Sequence, residues 1–168
     1  MNYFQGNKNH PQHLSVGAVV INDKSEILVH HVNAPNEPAI KGYWSDQGLT
    51  DFYTLMRETI EQGETLEGAL ERGLVEEFGV TAEIKDYLGS IKSHWNHEET
   101  NIEKTTVYFL CHLISQDDSK RNGDEGSRTK LEWQTADFLI PKMKDQALKY
   151  NRTDVDESLI IERAKKYF

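Results

Sequence analysis

Residues Gly63 to Val80 read GETLEGALERGLVEEFGV, a capped helix with an anomaly at its end. Thr65 suits the N-cap, and Gly79 suits the left-handed C′ position that closes a helix over Leu66 to Phe78. At ~100° per residue, Leu66, Ala69, Leu70 and Leu74 fall on one apolar stripe. Glu77 projects into the middle of that stripe and Glu76 lies on its edge, beside Ala69. Both acids stand in the last turn, where the helix dipole turns its negative end and disfavours anions. A carboxylate facing an apolar surface is also disfavoured by desolvation. A bound divalent cation would remove both objections.

The spacing around the pair carries more than the pair does. Glu64 precedes Arg72 by seven intervening residues; Leu74, Glu76, Glu77, Gly79 and Val80 then follow in fixed register. This stretch resembles the Nudix box, which runs Gly, five residues, Glu, seven residues, Arg-Glu-apolar-x-Glu-Glu-x-Gly-apolar. Seven of its nine defining positions match at the correct spacing between Glu58 and Val80. The resemblance implies an α/β fold, a Nudix-type α/β/α sandwich with a mixed central sheet. It implies hydrolysis of a diphosphate linkage in a nucleoside-diphosphate-type small molecule, with Mg²⁺ or Mn²⁺ as cofactor. Hard cations take oxygen ligands and keep several waters, so paired carboxylates suffice to hold them. On this resemblance Glu76 and Glu77 are the metal ligands, Arg72 orients Glu76, Glu64 braces Arg72, and Gly79 closes the helix.

Two positions depart from the box. Glu58 stands where the box opens with Gly, and Gly73 stands where it has the Glu after Arg. Gly73 shares a helix face with Glu76 and Glu77, three and four residues on, so the face has lost a carboxylate. Gly in a helix interior also costs about 1 kcal/mol relative to Ala. Two readings of the exchange stand open: Glu58 turns its carboxylate into the space beside Gly73 and joins the catalytic set, or it faces solvent. Further acids available as a base are Glu98, Glu99, Glu103, Glu132 and Glu157. The class alternative to an enzyme is a catalytically impaired Nudix-fold domain that binds nucleotides or regulates.

Outside the box, the chain reads as a flexible N-terminal segment, 1–13, and one domain, 14–168. Its 168 residues carry 19 basic and 28 acidic side chains, a formal charge of −9. That balance argues against DNA as a partner and leaves a small phosphorylated substrate screened by metal. No apolar run reaches the ~20 residues of a membrane span. A single cysteine, Cys111, lies in the apolar run Val107 to Cys111 and reads as core, which suits the cytoplasm. On oligomeric state the residues are silent; the resemblance adds only that homodimers are common in the family.

Strands are expected over Leu14 to Ile21, Glu26 to Val32, Leu55 to Ile60, Ala82 to Ser93 and Glu103 to Ser115, with a last one within Lys130 to Phe138. A helix within Asp137 to Tyr150 is expected to break near Pro141. A terminal helix, Asp156 to Phe168, has Leu159, Ile160 and Ala164 as its apolar side. Trp44, His94 and Trp95 are candidates for substrate binding: the tryptophans as stacking surfaces, the histidine as lining for a phosphate pocket. Trp133 reads as core.

Overall fold

The structure, a computed structural model, describes residues 5–32, 51–97, 99–122 and 129–168, and for 95–97 the backbone alone. Seven strands form one mixed sheet among these residues. They are β1 (Gln12–Ile21), β2 (Ile27–Val32), β3 (Phe52–Thr54), β4 (Met56–Thr59), β5 (Val80–His97), β6 (Thr100–Gln116) and β7 (Lys130–Gln134). Strand β1 is central. It runs parallel to β6, and its other edge is shared by β4, which pairs with Ser15 to Ala18, and β2, which takes Val20 and Ile21. Strands β3 and β7 both pair with β2. The long β5–β6 hairpin completes the far edge.

Strand alternation sends successive side chains to opposite faces, and each face finds a helical cover. Val16, Ala18, Val20, Leu28, Met56 and Cys111 pack against Ala69, Leu70, Leu74 and Phe78 of α1 (Leu66–Phe78). Val19, Ile21, Val29, Leu55 and Leu110 pack against Leu139 and Met143 of α2 (Ala136–Tyr150) and Ile160 and Ile161 of α3 (Ser158–Ala164). The result is the expected α/β/α sandwich. Gly17 is needed where β1 meets β6, because a Cβ there would fall 2.5 Å from the Tyr108 ring.

Helix α1 forms as its sequence dictates. The Thr65 hydroxyl accepts from the Gly68 N–H at 3.0 Å, and Gly79 adopts φ 65°, a left-handed value that glycine takes without strain. Its N–H closes the helix on Leu74 O and Val75 O.

Three expectations are corrected. Pro141 does not interrupt α2, which runs unbroken from its Thr135 cap to Asn151. Proline removes one bond, to the Asp137 carbonyl in the exposed first turn, while Leu139, Met143 and Gln146 anchor the helix on both sides. The terminal helix is shorter than expected, giving way to a 3₁₀ turn at Lys165–Tyr167. Its buried side is Ile160, Ile161 and Ala164, and Leu159 is 63% exposed. Ahead of β1, Asn7 and His10 exchange backbone hydrogen bonds, the Gly6 N–H donates to His13 Nδ1, and Glu103 N–H donates to Pro11 O. His13 and Ser15 bury themselves by bonding each other, so the ordered strand begins at Gln12.

Candidate active site

The site is built around Arg72. Emerging from the middle of α1, its guanidinium grips Glu64 with two bonds, Nε to Oε1 at 2.9 Å and Nη2 to Oε2 at 3.0 Å. Nη2 also donates to the Thr59 carbonyl at 2.9 Å, which fastens α1 to the end of β4. Two-point guanidinium–carboxylate pairs fix orientation as well as charge. Hydrogen bonding to Glu64 holds the Arg72 guanidinium above its ordinary pKa and the Glu64 carboxyl below its own. Glu64 therefore braces Arg72, and a second bond, from the Glu61 N–H, braces Glu64.

The third guanidinium nitrogen, Nη1, points elsewhere. It lies 3.2 Å from Glu58 Oε1 and 3.4 Å from Glu76 Oε2, joining a carboxylate on β4 to one on α1. Burial raises the Glu58 pKa, while Arg72 and the Thr59 N–H oppose that shift. Glu77, one residue beyond Glu76, is buried against the sheet. Its Oε2 lies 3.7 Å from His30 Nε2 on β2.

Sequence reasoning missed the residues on the far side of Glu77. His30 is buried, packs its ring on Phe78 and sits 2.5 Å from Thr129 Oγ1. Burial, reinforced by Arg121 and Arg57, pushes its pKa down to about 3, so the ring is neutral near pH 7. Arg121 donates from Nε to the Glu77 carbonyl at 2.9 Å, and Asn122 N–H donates to Glu76 O at 3.1 Å. These two cap the end of α1, whose own last turn holds no basic residue. His30 stands 47 positions before Glu77 and Arg121 stands 44 after it, so only the folded sheet brings them together.

The remaining candidates scatter. Trp44 lies outside the described residues, as do Glu98 and the Trp95 side chain. His94 is exposed on β5, opposite Glu103 of β6, and Glu103 is paired with Lys92 at 2.6 Å. Glu157 is buried in the opposite layer, where it accepts from Tyr108 Oη, Thr54 Oγ1 and the Leu55 N–H. It cannot meet the face that carries Glu76 and Glu77. Glu132 is taken by His31 and Lys130, both at 3.0 Å. Cys111 is fully buried, which pushes its thiol up to about 12. Trp133 packs against the α1 face of the sheet.

Among the described residues no three of His, Cys, Asp and Glu form a ready-made metal cage. The donors that converge at α1 are carboxylates, which suit a hard cation keeping part of its water.

A family model described as the NUDIX domain matches residues 11–153. Nudix hydrolase 5 of Arabidopsis thaliana is 28% identical over 108 residues, covering 62% of this chain and 30% of that protein, so the chain matches under a third of that relative's length. A NUDIX hydrolase from Nitrosomonas europaea superposes with a TM-score of 0.63 at 17% identity, covering 92% of this chain and 88% of its own. The MutT protein from Methanosarcina mazei superposes with a TM-score of 0.55 at 15% identity, covering 86% of this chain and 96% of its own. These two structures share the fold; the family model spans most of the chain, Arg72 and its carboxylates included. The chain belongs to the NUDIX family.

Proposed function

We propose that the protein is a metal-dependent hydrolase that splits a diphosphate linkage in a nucleoside-diphosphate-type small molecule, using Mg²⁺ or Mn²⁺. One observation carries this reading. Four carboxylates, Glu58, Glu64, Glu76 and Glu77, meet two guanidiniums, Arg72 and Arg121, leaving a formal excess of two negative charges along α1, and two of the four, Glu76 and Glu77, stand in its last turn, where the helix dipole adds to the excess. A divalent cation balances that excess, and an anionic diphosphate can approach only if one is present. When bound, the metal supplies charge screening at the phosphates, polarisation of phosphorus and a more acidic water.

The chain's own residues do the rest. Glu76 and Glu77 hold the cation, and Arg72 sets the direction of Glu76 through its grip on Glu64 and Thr59. Arg121 and Asn122 hold the last turn of α1, so the adjacent carboxylates keep their positions. Gly73 favours a second reading, a binding or regulatory domain, because it supplies no carboxylate.

Turnover against a panel of nucleoside diphosphate derivatives, with Mg²⁺, Mn²⁺ or chelator, separates the two. Hydrolysis that chelator abolishes supports the enzyme. Ligand affinity without product in any metal supports the binding domain.

A further inference from the structure

Gly73 lies under another residue's side chain. A Cβ built on it would stand 2.7 Å from Glu58 Cβ, 3.1 Å from Glu58 Cγ and 2.9 Å from Met56 Sδ. The point where a side chain at 73 would begin is therefore nearly the point from which the Glu58 side chain extends. Helix α1 gives up a side chain in its interior, where glycine is a poor helix former, and β4 fills that space with the stem of Glu58 instead. The Glu58 carboxylate shares Arg72 Nη1 with Glu76, three residues on from Gly73 along the same helix face.

The contacts of Glu58 are those of a ligand held ready. Oε1 accepts from its neighbour's Thr59 N–H at 2.8 Å and from Arg72 Nη1 at 3.2 Å. The side chain is 16% exposed, so it is aimed by packing as well as by these bonds. Arg72 keeps Nε and Nη2 on Glu64 and Thr59, at 2.9 to 3.0 Å. Only Nη1 bridges Glu58 and Glu76, and at longer distances. A positive group thus already stands between the strand carboxylate and the helix carboxylate. Releasing it loses neither of Arg72's firm anchors.

We propose that Glu58 is a metal ligand of this protein, contributing from β4 the carboxylate that α1 lacks at position 73 and acting with Glu76 and Glu77 on one divalent cation. The exchange is reciprocal on the Glu58 side: a Glu at 73 collides with Glu58 Cβ and Cγ while Glu58 is present, and with residue 58 as Gly only the end of the Met56 side chain has to give. This inference rests on the reading of the site as a cation site and adds the identity of a ligand to it.

Mn²⁺ binding without substrate, followed by calorimetry and by the free-Mn²⁺ electron paramagnetic resonance signal, tests it. The proteins are the wild type, Glu58→Gln, Glu77→Gln and the double variant Glu58→Gly/Gly73→Glu, each checked for folding by circular dichroism. Glu58→Gln is isosteric and keeps the packing, so its readout does not depend on the double variant folding. Its Mn²⁺ affinity should fall by about tenfold or more, the scale on which metal sites respond to loss of a coordinating or orienting group. The double variant should recover most of that loss. Wild-type affinity in Glu58→Gln, with affinity lost in Glu77→Gln, overturns the role of Glu58 and leaves the cation site standing. A folded double variant no better than Glu58→Gln overturns the exchange. A wild-type protein that binds no Mn²⁺ overturns both this inference and the reading beneath it.

Discussion

Consider one methyl group added at Gly73. In an exposed helix interior, Gly→Ala gains about 1 kcal/mol. Here the new Cβ arrives 2.7 Å from Glu58 Cβ and 2.9 Å from Met56 Sδ. Met56 is fully buried, and Glu58 Cβ is fixed to the backbone of a paired strand, so neither can swing aside cheaply. Overpacking of this kind costs about 1–3 kcal/mol. The penalty exceeds the propensity gain, and Gly73→Ala should lose about 1 kcal/mol net, or about 2–4 °C in Tm. Urea unfolding of the wild type, Gly73→Ala, Glu58→Gly and the double variant measures this as a cycle. The methyl penalty should shrink when residue 58 has no side chain, leaving only the Met56 Sδ contact at 2.9 Å, with a coupling of about 1 kcal/mol. A Gly73→Ala protein that is stabilised by about 1 kcal/mol, whichever residue occupies 58, would refute the contact and the reasoning built on it.

Further outcomes follow from the same structure. Arg72→Lys keeps the charge but not the two-point grip on Glu64 or the bond to Thr59 O; thermal melting should fall by about 1–2 kcal/mol equivalent, and hydrolysis should fall with it. His13 is buried, and burial, with Lys104 and Arg57, holds its pKa down to about 4. The unfolded chain therefore binds more protons than the folded one between about pH 6.5 and 4, and stability falls as pH drops through that window. His13→Gln should reduce this slope; His30, held lower still, acts with the same sign, so the slope should not disappear. An unchanged slope in stability-versus-pH measurements would contradict the account of His13. Cys111, buried and raised to about 12, should react with a thiol reagent only as fast as the protein unfolds, which a denaturant series reads directly.

The sequence carries the α1 helix almost completely, because caps and periodicity act within a few residues: Thr65, Gly79 and the inward Glu77 lie where local rules place them. Strand order, with β1 beside β6, agrees with the fold the box implies, although only contact between distant segments creates it. Pro141 was misleading since tertiary packing of α2 outweighs one missing hydrogen bond. Leu159 was assigned to the wrong face because a seven-residue helix fixes its phase poorly; Ile161 takes that place. His30, Thr129 and Arg121 had no local signal. They join Glu77 only because β2 and the segment after β6 both pass the end of α1. The exchange of Glu58 and Gly73 shows in the sequence as two departures in one motif, with their contact as one of two open readings; the pairing of β4 beside α1 is what brings the two together.

The measurement closest to the central claim is hydrolysis of the best panel substrate by the wild type and by Glu76→Gln/Glu77→Gln across a Mg²⁺ titration. The account predicts wild-type turnover that rises with Mg²⁺ and stops in chelator. It predicts a folded double variant in which kcat is lost at every Mg²⁺ concentration. Metal-independent turnover, or a double variant as active as the wild type, would contradict the placing of the reaction at the end of α1.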